Sequence, residues 1–204
     1  APHGRRARQG DELMYLRLLQ HSADGARSVI AARGDDAWLV PGATTIRALA
    51  EQAIAAGSTL AEAVDGAGRG DPVDIAGELA AGRIIAPIDH ADPAHLQMTG
   101  TGLTHLGSAE GRDKMHREAA AAEKQTDSMR MFLEGLEGGK PAAGQTGQQP
   151  EWFYKGDGSQ LVGPGAPLQM PAFAQDGGEE PELAGIYLIG PDGTPFRLGL
   201  CLGN

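Results

Sequence analysis

The sequence predicts an α+β fold: a small N-terminal α/β unit over residues 1–86, followed by a β-rich main unit over 87–204. Three observations lead there. Glycine and proline number 31 and 13 in 204 residues, just under the roughly 25–30% of a low-complexity chain, so turns are frequent. Helical spacing of apolar residues is concentrated between Thr44 and Val64. The final third instead carries short apolar strands separated by Pro, Asp and Gly.

Along the chain, Arg27–Ala32 and Ala37–Val40 read as strands joined by the turn signal Gly34-Asp-Asp36. Ile46, Leu49, Ala50 and Ala53 recur at helical spacing, with Thr44 or Thr45 as N-cap and Gly57 as the stop. A second short helix is expected over Thr59–Val64. Arg83–Pro87 is a strand ended by its proline. Leu96–His105 alternates and holds Gly100 and Gly102, which suggests a strand whose backbone approaches another group closely. One helix is expected from about Ser108 to Leu136, ended by Gly138-Gly139, with Pro141–Pro150 as a linker. Trp152–Lys155 is an aromatic strand, and Gly163-Pro-Gly165 a turn. Leu183–Ile189 pairs with the strand from Phe196 through the hairpin signal Pro191-Asp-Gly-Thr194.

Composition removes several classes of function. With 17 basic and 27 acidic residues the net charge is −10, which repels phosphate backbones and anionic lipid headgroups. Two Trp, three Tyr and four Phe are few for a base-stacking platform. Neither nucleic acid nor a membrane is therefore an expected partner, and no apolar run approaches the ~18 residues of a membrane span. Cys201 is the single cysteine, so an internal disulfide is excluded and a reducing cytoplasm is the expected compartment. The first residue is not Met, and the apolar run Arg197–Asn204 is cut mid-course. The expectation is a piece of a longer protein, inactive by itself.

Two constellations carry chemistry. Glu180 and Glu182 stand at i and i+2 just before a strand, so both carboxylates project to one face. Two such charges repel unless a cation or proton lies between them, and a hard divalent ion accepts oxygen ligands of this kind. The same residues also describe a solvated acidic turn. In Glu151-Trp-Phe-Tyr-Lys155, a carboxylate and an ammonium share one side of a strand by parity, suited to moving protons and holding an anion. They equally describe a cross-face ion pair.

Other segments are weaker. Asp89–His95 matches no usual zinc spacing, and Pro93 denies it a helix, so a solvated connector is expected. Gly100-Thr-Gly102 lacks the third glycine of a dinucleotide loop. Met115, Met129 and Met131 read as core or subunit contact.

Taken in order, Ile84-Ile-Ala-Pro87, Gly100-Thr-Gly-Leu-Thr-His105, Phe153-Tyr-Lys155 with Gly163-Pro-Gly165, and Glu180-Pro-Glu-Leu-Ala184 resemble the fumarylacetoacetate hydrolase family. Within it the chain looks most like the sugar-operon branch and the archaeal-type 2-keto-3-deoxy-D-arabinonate dehydratases. The resemblance implies a β-rich fold holding magnesium, with manganese as substitute, on three carboxylates. Glu180 and Glu182 match two of them, and the third is expected beyond Asn204.

The hydrolases of the family follow a Gly-x-Asn-Tyr strand with a His and a Glu. Here the strand reads Gly102-Leu-Thr-His105, and Ser108 falls where that His belongs. Glu151 matches a glutamate that the dehydratases use as acid/base. The resemblance thus implies dehydration of a 2-keto-3-deoxy sugar acid through an enolate, with Glu151, Lys155 and His105 as catalytic candidates. Gly102 and Thr104 are the substrate-binding candidates. A homodimer is implied for the full-length protein. The alternatives are hydrolysis of a 1,3-dicarbonyl carbon–carbon bond or a non-enzymatic sugar-operon protein.

Overall fold

A computed structural model describes residues 15–102, 114, 117–118, 121, 125–178 and 181–204. Helices and antiparallel sheets are both present, 26% and 29% of the chain, which places it in the mixed α+β class. The chain divides into two compact units, one made of 1–91 with 161–204, the other of 92–160.

The first unit opens with β1 (Arg17–Ala23), β2 (Ala26–Arg33) and β3 (Asp36–Leu39). The sequence reading missed β1. The β1–β2 connection is the two-residue turn Asp24-Gly25, with φ of 50° and 78°, the left-handed pair that matches strand twist in a tight hairpin. With β4 (Ile84–Ile85), these strands form an antiparallel sheet in the order β3-β2-β1-β4.

Two helices pack on that sheet. In α1 (Ile46–Ala55) the Thr45 hydroxyl accepts from the Ala48 N–H at 3.0 Å, and Gly57 beyond its end has φ 64°. In α2 (Leu60–Ala67), Thr59 and Glu62 form a reciprocal capping box that satisfies two donors left over at a helix start. The helices bury Ile46, Leu49 and Val64 against Val29, Ala31, Trp38 and Val40. On the opposite face of β2, Ile30 and Ala32 are also fully buried, so the strand is enclosed on both sides.

Polar groups fix this frame. Gln20 is fully buried; its amide donates to the Ala86 carbonyl at 2.9 Å and to Asp89 Oδ1 at 3.2 Å. Its oxygen accepts from the Ile46 N–H at 3.1 Å, one of the donors left without a partner at a helix start. Asp89 in turn pairs with Arg27, 2.9 Å between Oδ2 and Nη1. Asp89 is therefore half-buried structure, correcting the expectation of a solvated connector; the exposed remainder holds a 3-10 turn that begins at Pro93.

A third helix, α3 (Ile75–Ala80), was not anticipated and buries no residue. Its Glu78 meets His21 Nε2 at 2.7 Å and Arg83 Nη2 at 2.9 Å, while His21 Nδ1 lies 3.0 Å from Ser28 Oγ.

The later part of the first unit begins with the arm around Gly163-Pro-Gly165, a turn as expected, where Ala166 N–H donates to the Gly163 carbonyl at 3.1 Å. A Cβ on Gly163 would stand 2.9 Å from the Ile84 carbonyl oxygen, so the arm passes β4 at a distance only glycine allows. Two strands follow and pair antiparallel across the expected turn, closed by Gly190 N–H donating to the Thr194 carbonyl at 2.8 Å. Leu183, Tyr187, Ile189, Leu200 and Leu202 are exposed on one face of this hairpin. Ile186, Leu188, Phe196 and Cys201 lie half-buried on the other. These two strands are β5 (Glu182–Ile189) and β6 (Pro195–Gly203).

That second unit pairs βA (Gln97–Thr101) antiparallel with βB (Trp152–Asp157), with a bulge between Met98 and Thr99. Its described helix, α4 (Asp127–Gly138), is capped by Thr126, whose hydroxyl accepts from the Met129 N–H at 3.2 Å. The single helix expected over 108–136 is thus interrupted at Gln125-Thr126, because Thr126 caps a fresh start there. Phe132 and Gly135 are the buried residues of α4. Residues 141–150 form no helix or strand and lie within the second unit, where Gln148 N–H donates to the Gly138 carbonyl at 2.8 Å.

Candidate functional site

In the second unit, βA supplies bare backbone where βB supplies side chains. Thr101 pairs with Trp152 and Gly100 with Phe153, and Gly102 N–H donates to the Glu151 carbonyl at 2.9 Å. A Cβ on Gly100 would enter the Phe153 ring and lie 2.8 Å from Lys155 Cε. A Cβ on Gly102 would stand 3.0 Å from both Cβ and Oε2 of Glu151. Alternate residues of a strand share a face, so Glu151, Phe153 and Lys155 lie together over a strip formed by the two glycines. The close approach expected of this glycine strand is to these three side chains.

The ends of the row are held differently. Ser128, in the first turn of α4, donates its hydroxyl to Glu151 Oε1 at 2.8 Å. The Lys155 ammonium lies 5.8 Å from the Phe153 ring centroid, within the range of a cation–π contact. Trp152 and Tyr154 point to the other face and are exposed. The arrangement offers a carboxylate with one oxygen hydrogen-bonded, then an aromatic ring, then an ammonium along the same strand face, with Gly100 and Gly102 across from the ring and the carboxylate.

The expected site residues divide as follows. Gly102, Glu151 and Lys155 are brought together. Glu182 begins β5 in the first unit, opposite Gly203, and is exposed. Glu180, Thr104 and His105 lie outside the described residues. Among the described residues no cluster of three or more His, Cys, Asp or Glu side chains stands where it could hold a metal ion. Glu182 is a hard oxygen donor of the kind magnesium takes, and the glycine opposite leaves its cross-strand position without a side chain. Ser128 was missed: it stands 23 residues from Glu151, and only the packing of α4 relates the two.

Electrostatics single out a different carboxylate. The Arg83 guanidinium and the His21 ring hydrogen-bond Glu78 and pull its carboxyl down from the usual 4.5 to about 2. Hydrogen bonds from Ser159 lower Asp157 beside βB. Burial pushes the Cys201 thiol up.

No protein-family model, curated protein or solved structure matches the chain. No described helix is long and apolar enough to cross a membrane.

Proposed function

We propose that this chain belongs to a magnesium-dependent lyase that dehydrates a 2-keto-3-deoxy sugar acid. The observation that carries the reading is the shared face of Glu151, Phe153 and Lys155 above Gly100 and Gly102. Dehydration needs a base to take a proton from C3 and an acid to return one to the hydroxyl that leaves C4. One carboxylate performs both by alternating its protonation state. Glu151 has that role in this reading: it takes the C3 proton and the C–H electron pair forms the C2–C3 enolate, which then collapses to the C2 ketone and a C3–C4 double bond as the C4–O bond breaks. The proton held by Glu151 goes to the departing hydroxide as water, leaving an unsaturated 2-keto acid.

Lys155 supplies a positive charge for the substrate carboxylate, a strand repeat or two from the base. Phe153 lies between them on the same face and is itself exposed. Glu180 and Glu182 are the residues that would hold a magnesium ion in this reading, and the ion would supply positive charge for a developing oxyanion.

Mass spectrometry of products from the complete polypeptide carrying these residues, incubated with 2-keto-3-deoxy pentonates and magnesium, tests the reading. A product lighter by one water supports it. Shortened acids would replace the lyase with a carbon–carbon hydrolase. No product, together with no calorimetric binding of magnesium or keto acid, would make the protein a non-enzymatic one.

A further inference from the structure

Glu151 has one oxygen tied and the other placed. Ser128 Oγ donates to Oε1 at 2.8 Å, and Oε2 lies over Gly102, 3.0 Å from where a Cβ would be. A glutamate has three side-chain torsions, and an untethered one near a surface samples many of them. Here the backbone of residue 151 is fixed by the Gly102 N–H bond to its carbonyl, and the carboxylate is fixed by the serine. The two constraints come from different elements, βA and α4.

Ser128 itself is well placed for this. It sits in the first turn of a helix whose start is fixed by the Thr126 cap. Its hydroxyl is directed across to the next element in place of joining the cap. A hydroxyl donor to Oε1 leaves Oε2 as the oxygen free of that bond, lying in the space that a side chain on residue 102 would need.

We infer that Ser128 is a positioning residue for Glu151, holding Oε1 so that Oε2 is the oxygen that exchanges protons with the ligand. The inference rests on the lyase reading for its chemical consequence, but its geometry stands apart from it. Serine in this position fixes the orientation of the base and takes no proton in the reaction.

The test uses the complete polypeptide in three forms: native, Ser128→Ala and Ser128→Thr, with Glu151→Gln as the reference. With a 2-keto-3-deoxy pentonate, Ser128→Ala is expected to lower kcat about tenfold with KM within twofold. Ser128→Thr, which keeps the hydroxyl, should restore most of it; a merely structural role would not give that split and rescue. Carbodiimide coupling of an amine to Glu151, followed by peptide mass spectrometry, reads the same tether without turnover. Ser128→Ala should label Glu151 several-fold faster than native, and Ser128→Thr at the native rate. Equal labelling of all three forms overturns the inference whatever the activity. Normal kcat in Ser128→Ala beside an inactive Glu151→Gln overturns it and leaves the lyase reading intact. Full activity of Glu151→Gln removes the lyase reading, and the labelling alone then decides the tether.

Discussion

Gly102 and Glu151 meet twice: through the N–H bond to the Glu151 carbonyl at 2.9 Å, and through the 3.0 Å that separates Oε2 from the place of a Cβ on residue 102. The first contact sets the register of the strand pair at its end. The second makes the absence of a side chain a condition for the carboxylate's position. Local backbone and candidate chemistry are therefore coupled at one residue.

The neighbouring glycine tests the floor itself. Gly100→Ala would drive a methyl into the Phe153 ring and against Lys155 Cε, and overpacking of that kind costs about 1–3 kcal/mol. Urea unfolding should show that loss. Gly102→Ala, which meets only the flexible Glu151 side chain and its Cβ, should destabilise less and be felt mainly in activity.

Gln20 is expected to govern the stability of the first unit. Gln20→Leu keeps the volume but removes partners from the Ile46 N–H and the Ala86 carbonyl. A buried group left unsatisfied costs about 1–3 kcal/mol, so chemical denaturation should show a loss of at least that order. An unchanged midpoint would mean that the amide is dispensable.

Acid should loosen α3 through Glu78. Its carboxyl titrates near 4.5 when unfolded and near 2 when folded, held down by Arg83 and His21. A depressed carboxylate contributes stability above its unfolded value, and the contribution is lost as pH falls through the folded value. The stability gained from Glu78 is thus complete above about 4.5 and declines between there and about 2. Denaturation midpoints measured across that window should converge for native and Glu78→Gln protein at its acid end.

Cys201 is expected to react slowly. Partial burial raises its thiol above the ordinary value, which reduces the thiolate, the form that attacks. Thiol titration with an aromatic disulfide reagent at neutral pH should run slower on the native protein than on the urea-unfolded chain. Equal rates would show that the strand leaves the sulfur unprotected.

Much of the fold was legible because local chemistry and tertiary packing agreed. Thr45, Thr59 and Gly57 announce α1 and α2 by capping, and Asp192-Gly193 announces the last hairpin. Strand β1 was not legible from alternation, since Leu18-Leu19 and Gln20-His21-Ser22 follow no period of two. Its available signal was the Asp24-Gly25 dipeptide, a strong hairpin marker. Helix α3 has no apolar stripe to read; its docking depends on Glu78 meeting a strand 57 residues away. Parity placed Glu151 and Lys155 on one face, and the two glycines signalled a close approach. Ser128 was hidden because a lone serine in a helix's first turn is the commonest of surface features.

If Glu151 moves the C3 proton of a 2-keto-3-deoxy acid, hydrogen exchange at C3 depends on its carboxylate. Proton NMR in deuterium oxide, with magnesium and the complete polypeptide, should show loss of the C3 signal, slowed about a hundredfold or more by Glu151→Gln. Exchange at the same rate in both proteins would contradict the claim.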